Sequence, residues 1–342
     1  MYSFKNDYSE GAHPRILKAL TETNLEQVDG YGEDRYTVKA VELLKHRLKR
    51  DDVDIHLFSG GTQTNLTALS AFLRPHEAAV AASTGHILVH ETGAVEATGH
   101  KVISVEVPDG KLTPKHIREA VESHTDEHMV KPRLVYLSNS TEIGTIYTKS
   151  ELEKIRQLCL EKKLYLYVDG ARLGSALCAA GDALKLSDLP GLADAFYIGG
   201  TKNGALIGEA LIICREELRE DFRFHMKQKG ALLAKGKLLG IQFLELFRDD
   251  LYFDLARHAN AMADLLRKAI GGAGHSFFVD SPSNQIFPIF PNEMISRLQE
   301  NYSFYIWAQM GGDRSAVRLV TSWATDEAAV RRFIGDLESA GG

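Results

Sequence analysis

The chain has 342 residues, 44% hydrophobic and 25% charged, a composition typical of a globular protein with an ample core. Acidic and basic residues are mixed along a chain of net charge −6, so no basic block indicates binding to nucleic acid or a membrane surface. The polar N-terminus is unlike a signal peptide, and no apolar run is long enough to span a bilayer. The widely spaced Cys159, Cys178 and Cys214 lie in apolar surroundings, which favours buried free thiols and a reducing cytoplasm.

Strands alternate with helices over most of the chain, which predicts a mostly parallel sheet covered by helices on both faces. Thr148 followed by Glu151 forms a capping-box signature at the start of one of these helices. After an extended arm over 1–12, the predicted elements are helices 13–20 and 37–48, strand 53–58, helix 64–73, strand 78–82, helix 87–98, strand 101–106, helix 113–124, strand 134–137, helix 149–162, and strands 164–168, 195–198 and 210–214.

The pattern changes at about Asp249, where the elements become shorter. The remaining prediction is helix 254–269, short strands near Phe277 and Ile286, helix 293–300, strands near Phe304 and Val317, and helix 326–338. This indicates a smaller α/β domain, and the absence of a proline- or glycine-rich linker predicts tight packing. We therefore expect an arm over 1–12, a large domain over 13–248 and a small domain over 249–342.

A single lysine stands in the small-residue loop that follows the apolar run 195–198. Lys202 comes directly after Thr201, among glycines. An exposed loop lysine is the simpler interpretation, because an ammonium normally stays in water. The alternative is a lysine that forms an imine with an aldehyde cofactor, with glycines admitting a large ring and neighbouring groups keeping the amine reactive.

A second glycine-containing turn joins strand 53–58 to helix 64–73. Glycines and a hydroxyl at a helix N-terminus offer free N–H groups and the helix dipole to an anion. The turn lacks the spacing of a P-loop or of a dinucleotide-binding turn. Gly61 and Thr62 are therefore candidates for holding one phosphate.

Three more polar residues lie near predicted strand ends, where open parallel sheets bind their ligands. Asp169 follows an apolar strand. It is either a helix cap or a buried carboxylate that keeps a pyridine nitrogen protonated. Arg172 can reach the same strand ends or form an ion pair at the surface. His86 is a structural histidine or one that lies flat on a cofactor ring, and His90 or Glu91 can face the same space.

A phosphate cradle, a stacking group, an aspartate for a ring nitrogen and a lysine follow one another in the order used by the aspartate-aminotransferase-type fold. These four groups are the set that a pyridoxal 5'-phosphate enzyme needs. The sequence resembles the low-specificity threonine aldolases, within the β-eliminating lyase group of fold-type I pyridoxal phosphate enzymes. The resemblance covers nearly the whole chain and is carried by Tyr31-Gly32-Glu33-Asp34, Gly61-Thr62-Gln63-Thr64-Asn65-Leu66, His86 with Glu91-Thr92-Gly93, Val168-Asp169-Gly170-Ala171-Arg172, Thr201-Lys202 and Val317-Arg318-Leu319-Val320-Thr321.

The resemblance implies a role for each matching position. Lys202 matches the lysine that bonds the cofactor, and Thr201, which precedes it in the same motif, is expected to bind the cofactor too. Asp169 matches the partner of the pyridine nitrogen, and His86 matches the stacking histidine that is also a candidate base. The phosphate loop matches Gly61 and Thr62. Arg172 and Arg318 match groups near the cofactor hydroxyl and the substrate carboxylate.

Two stretches depart from the family pattern. The family usually carries Glu-Asn-Thr-His-Asn after the central strand, and its histidine is thought to help handle the substrate hydroxyl. Here the run Ser138–Gly144 contains no histidine, so the base is left open. The run Asn203–Leu206 also differs from the usual Gly-Leu-Gly, which indicates a divergent branch.

The resemblance implies cleavage of a β-hydroxy-α-amino acid, such as threonine to glycine and acetaldehyde, through Lys202. The alternatives are β-elimination, transamination or racemisation with the same cofactor, and a binding protein that kept the fold without the cofactor. The expected partner is a small amino-acid substrate, with no metal, nucleic acid or membrane. The resemblance also implies a homodimer or homotetramer.

Overall fold

The computed structural model of the protein describes residues 1–179 and 184–340. Its strands are β1 (Tyr2–Ser3), β2 (Asp54–Phe58), β3 (Glu77–Ala82), β4 (Lys101–Val105), β5 (Lys131–Ser138), β6 (Tyr165–Asp169), β7 (Ala195–Gly199), β8 (Glu209–Ile213), β9 (Gln285–Ile286), β10 (Ile289–Pro291), β11 (Tyr302–Ser303), β12 (Tyr305–Gln309) and β13 (Arg314–Val320). Its α-helices are α1 (Pro14–Glu22), α2 (Arg35–Leu48), α3 (Gly61–Phe72), α4 (His86–Val89), α5 (Pro114–Glu122), α6 (Lys149–Lys162), α7 (Leu173–Leu177), α8 (Leu189–Leu192), α9 (Phe222–Gln228), α10 (Lys237–Arg248), α11 (Leu251–Gly272), α12 (Asn292–Leu298) and α13 (Glu327–Ala340).

The main sheet has seven strands in the order β2-β8-β7-β6-β5-β3-β4. Strands β4, β3, β5, β6 and β7 run parallel, whereas β8 is antiparallel to both of its neighbours. The prediction of a mostly parallel central sheet is therefore confirmed. The pairing of Ser138 with Asp169 places the carboxyl ends of β5 and β6 side by side.

Helices bury both faces of this sheet, and alternate residues of each strand face opposite sides. On β6, Leu166 and Val168 belong to one hydrophobic cluster, whereas Tyr165 and Tyr167 belong to the cluster on the other face. The continuous apolar runs of the sequence reflect this burial on both sides.

The smaller sheet contains β10, β13 and β12 in that order, with β9 paired to β13. Its apolar side packs on α11, α12 and α13 in a separate hydrophobic cluster. The N-terminal arm joins this cluster, because β1 pairs with β11 and Phe4 is fully buried there. Helix α11 contributes its first turns to the core of the main sheet and its later turns to this cluster.

Two sequence-based predictions of local structure were wrong. A single helix over 87–98 does not form; the chain makes the short α4, then a 3-10 turn at Glu96–Thr98. Thr92 and Gly93 interrupt it, because both adopt positive φ angles, 53° and 71°. Near Phe277 the structure has a single bridge to Pro288 instead of a strand. Helices α7 to α10 were not predicted.

Within residues 1–179 and 184–340, no helix is both long and apolar enough to cross a membrane. Over the same ranges, no group of three or more His, Cys, Asp or Glu side chains could hold a metal ion. The three cysteines are free; Cys159 is buried, but Cys178 and Cys214 are partly exposed, unlike the expectation.

Candidate active site

A cavity of about 470 Å³ lies between the carboxyl ends of the parallel strands and the smaller sheet. Loops that follow β3, β5, β6 and β7 contribute His86, Glu142, Arg172 and Lys202 to its wall. The smaller sheet contributes Gln285, Tyr305, Trp307 and Arg318. The fold thus brings four of the eight predicted site residues to this wall, namely His86, Arg172, Lys202 and Arg318. The other four lie outside it: Gly61, Thr62, Asp169 and Thr201.

The glycines near Lys202 were expected to make room for a large cofactor ring, but in the structure neighbouring backbone fills that space. A Cβ on Gly199 would lie 2.4 Å from the carbonyl oxygen of Ala171, and one on Gly200 would lie 2.8 Å from that of Gly208. These glycines therefore admit neighbouring backbone instead of a large ring. The Thr201 hydroxyl accepts a hydrogen bond from the Gly208 N–H at 2.9 Å and closes the loop.

Lys202 is partly buried at the base of the cavity. Burial and the positive charge of Arg172 lower the pKa of its amine, although the carboxylates of Asp7, Asp169 and Glu209 act in the opposite direction. A lysine that loses its proton more readily is a better nucleophile.

Glu209 is a site residue that the sequence analysis missed. Its carboxylate is buried and accepts a hydrogen bond from the Gly200 N–H at 3.1 Å. Burial raises the pKa of Glu209 to about 8, against the opposing effect of Lys202. In the sequence, Glu209 could have been noticed as the single acidic residue at the start of the apolar strand β8.

Asp169 ends β6 inside the protein, only 3% exposed. Its Oδ2 accepts hydrogen bonds from the Tyr136 hydroxyl at 2.5 Å and from Asn65 Nδ2 at 3.0 Å. Its Oδ1 accepts one from the Ala171 N–H at 2.9 Å. Burial would raise the pKa of Asp169, but the charge of His86 and these hydrogen bonds hold it below its usual value. The carboxylate is therefore ionised and available to a cationic group.

His86 is connected to Asp169 through a chain of buried polar groups. Its Nδ1 lies 2.8 Å from Oε1 of Glu91, the same oxygen that accepts a bond from Asn65 at 2.8 Å. Burial lowers the pKa of His86, but Glu91 and Asp169 outweigh it, so the pKa is raised overall. His90 also faces the cavity, with its ring centroid 5.5 Å from that of His86. Asn65 joins the carboxylates of Glu91 and Asp169, a role that its place in a family motif did not indicate.

Helix α3 begins at Gly61, directly after strand β2 and residues Ser59 and Gly60. No side chain caps its N-terminus. A Cβ on Gly60 would meet nothing within 4 Å, so the space before the helix is open. The first N–H groups of an α-helix have no partner within it, and those of Gly61 and Thr62 can therefore bind an anion.

The two arginines of the cavity differ in their partners. Arg172 is mostly buried and forms a bidentate ion pair with the fully buried Asp7, so the alternative of a surface ion pair is wrong. Arg318 donates to the Lys5 carbonyl oxygen at 3.3 Å and lies over the rings of Tyr305 and Trp307. Among the described residues, no carboxylate forms an ion pair with Arg318, and its Nε is buried without a partner. Burial and the nearby Arg172 lower the pKa of Arg318.

These features fit pyridoxal 5'-phosphate. The open N-terminus of α3 suits the phosphate, the ionised Asp169 suits a protonated ring nitrogen, and Lys202 suits the aldehyde. The unpaired guanidinium of Arg318 adds a place for a carboxylate at the other side of the cavity.

Comparisons with known proteins agree with this geometry. The family model described as beta-eliminating lyase matches residues 8–282. The low-specificity L-threonine aldolase of Pseudomonas aeruginosa is 32% identical over 339 residues, 98% of this chain and 96% of the relative. The yeast enzyme of the same name, from Saccharomyces cerevisiae, is 25% identical over 64% of this chain and 57% of its own.

Solved structures agree as well. The threonine aldolase of Leishmania major has a TM-score of 0.99 at 48% identity, with all of both chains covered. Aspartate aminotransferase of Thermus thermophilus has a TM-score of 0.72 at 16% identity over 99% of this chain and 91% of its own, so it shares the fold. The chain therefore belongs to the beta-eliminating lyase family, within its threonine aldolase branch, and has the fold-type I architecture.

Proposed function

We propose that this protein cleaves threonine and related β-hydroxy-α-amino acids to glycine and an aldehyde, with pyridoxal 5'-phosphate as its cofactor. The observation that carries the proposal is one cavity that joins Lys202 and an unpaired Arg318, close to the ionised Asp169. It occurs in a chain that resembles a threonine aldolase almost from end to end.

The residues of the main sheet would hold the cofactor. Lys202 would bond it through its amine, and the N–H groups of Gly61 and Thr62 would bind the phosphate. Asp169 would keep the ring nitrogen protonated, and His86 would lie against the ring. When bound, the cofactor supplies a sink for the electron pair released at Cα.

Thr201 and Glu209 lie immediately around the lysine. The Thr201 hydroxyl holds the loop in place through Gly208, so it would position Lys202 instead of contacting the substrate. Glu209 is a buried acidic group outside the cavity wall, and like Asp7 and Asp169 it favours the protonated form of Lys202.

The arginines would orient the substrate. Arg318 would bind the substrate carboxylate with its planar fork. Arg172, whose own fork is held by Asp7, would lie beside it. Fixing the carboxylate fixes rotation about the bond to Cα, and cleavage is fastest when the breaking Cα–Cβ bond stands perpendicular to the ring.

The alternative reactions with the same cofactor, β-elimination, transamination and racemisation, begin with loss of the Cα proton. Product analysis on a panel of β-hydroxy amino acids separates them from aldol cleavage. The proposal requires equal amounts of glycine and acetaldehyde from threonine, without ammonia or a keto acid. Ammonia or a keto acid as the main product would favour the alternatives, and no cofactor binding would favour the binding protein.

We also propose that the protein is a cytoplasmic homodimer or homotetramer. The free cysteines suit a reducing compartment, and the family resemblance implies the assembly. Light scattering after size-exclusion chromatography tests the assembly, and a monomer at micromolar concentration would contradict it.

The division into an arm over 1–12, a large domain over 13–248 and a small domain over 249–342 stays a prediction. The separate hydrophobic cluster under the smaller sheet supports it. The burial of Phe4 in that cluster and the shared helix α11 favour tight packing between the units.

A further inference from the structure

Glu142 is the only carboxylate in the part of the cavity wall that the described residues form. It belongs to the run 138–144 after β5, the place where the resemblance led us to expect a histidine and none occurs.

The Glu142 side chain is held at one oxygen. Its Oε1 accepts hydrogen bonds from the Ser138 hydroxyl at 2.7 Å and from the backbone N–H of His86 at 2.9 Å. Neither bond involves Oε2, so one oxygen remains for a ligand in the cavity. Because the anchoring N–H belongs to His86, the carboxylate lies beside the residue proposed to stack on the cofactor ring.

The environment of Glu142 makes its carboxylate easier to protonate than an exposed one. Burial and the negative charge of Asp169 raise the pKa of Glu142, and the bond from Ser138 and the positive charge of His86 only partly oppose this. A carboxyl group whose pKa lies closer to the working pH is a better general acid or base.

The other titratable groups discussed for the cavity are less suited to act as a general base, or they already have another proposed role. His86 is bound to Glu91 through Nδ1 and is assigned to the ring. Lys202 is assigned to the cofactor. The His90 side chain is exposed, and the partial loss of water around its ring, together with the charges of His86 and Arg318, lowers its pKa. It is the main competitor.

We propose that Glu142 is the base that accepts the proton of the substrate β-hydroxyl during cleavage. The proposal rests on the proposed function. As the O–H bond breaks, its proton moves to the Glu142 carboxylate and its electron pair forms the C=O bond of the aldehyde. The Cα–Cβ bond breaks at the same time, and its electron pair stays with the glycine half. One proton is then taken up at Cα and Glu142 releases the one it accepted, so the overall reaction neither consumes nor produces protons.

The test is Glu142→Gln in the holoenzyme. Glutamine keeps an acceptor oxygen for Ser138 and the His86 N–H but cannot accept the proton. We expect kcat for threonine cleavage to fall by about 10²-fold or more, the range for loss of a general base. Glycine has no β-hydroxyl, so exchange of its α-proton with deuterated water should remain within about threefold of the wild type, since that step does not use the base.

Two further measurements need no turnover. The dissociation constant of glycine, from the change in cofactor absorbance, and the unfolding temperature of the cofactor-free protein should both stay at wild-type values. Glu153→Gln is the matched control, because Glu153 is exposed on α6, far from the cavity wall.

Each other outcome overturns the proposal. Cleavage within severalfold of wild type means that Glu142 is not the base, and a large loss in His90→Gln would then assign the role to His90. Loss of both cleavage and glycine exchange means that Glu142 acts on the whole site. A wild type that exchanges the glycine proton without cleaving any β-hydroxy amino acid contradicts the proposed function itself, whatever Glu142 does.

Discussion

Asp7 of the N-terminal arm accepts two hydrogen bonds from Arg172 at the edge of the cavity, Nε to Oδ2 at 2.7 Å and Nη2 to Oδ1 at 3.0 Å. Asn284 donates a third bond to the same carboxylate at 3.0 Å. Burial would raise the pKa of Asp7, but Arg172 and Lys202 hold it below its usual value. The arm thereby connects the main sheet to the loop before β9, across the candidate active site.

Replacing Asp7 by asparagine should destabilise the protein, because it leaves the buried Arg172 guanidinium without an anion. Breaking a buried ion pair from one side typically costs about 3–5 kcal/mol. Urea unfolding measures the loss, and kcat/KM for threonine should fall as Arg172 shifts. An unchanged free energy of unfolding would mean that solvent reaches the pair in solution.

Lys202→Ala should abolish turnover and the visible absorbance band of the bound cofactor while the fold survives. The amine is the group proposed to bond the cofactor, and alanine has no nucleophile. Far-ultraviolet circular dichroism checks the fold, and Lys154→Ala, at an exposed position on α6, is the matched control. Normal turnover in Lys202→Ala would refute the assignment.

Asp169→Asn should still bind cofactor but lose more than a hundredfold of activity. The neutral amide cannot keep the ring nitrogen protonated, and a strong preorganised electrostatic contact is worth about 3 kcal/mol in the transition state. The measurement is kcat with saturating cofactor. If activity falls less than severalfold, Asp169 does not act on the ring nitrogen, and its role is structural, through its bond with the Ala171 N–H.

Arg318→Lys should weaken substrate use without removing the cofactor. Lysine keeps the charge but loses the planar fork and the stacking on Tyr305 and Trp307. We expect a lower kcat/KM for threonine with an unchanged cofactor band. Loss of both the band and folded stability would make Arg318 structural and move the carboxylate role to Arg172.

Glu91→Gln should change the pH dependence of stability through His86. The pKa of His86 is raised in the folded protein, so its interaction with Glu91 stabilises the fold below the ordinary value of 6.5 and is lost as pH rises through the folded pKa. The difference in unfolding free energy between wild type and variant should therefore be largest below the ordinary pKa of 6.5 and shrink as the pH rises above it. A difference that grows with pH would contradict a charged His86.

The order of elements and the neighbourhood of the site were visible in the amino-acid sequence. Apolar runs that alternate with amphipathic helices require a parallel sheet buried on both faces, and a parallel sheet brings all its carboxyl strand ends to one edge. His86, Arg172 and Lys202 follow such strands, so their convergence follows from chain order alone. The break in the predicted helix at Thr92 and Gly93 was not foreseen, because the spacing of apolar residues indicates which face is buried and does not determine local φ angles.

The partners of those residues depended on the folded chain. Asp7 and Arg172 are 165 positions apart, and Asn65 and Asp169 are 104 apart. Hydrophobic periodicity places elements in layers, but side-chain rotamers and the docking of the smaller sheet determine which polar atoms meet. The roles of Glu209 and Glu142 likewise depend on their burial beside Lys202 and His86. The pKa of a carboxylate is set by the charges and solvent around it in the folded protein.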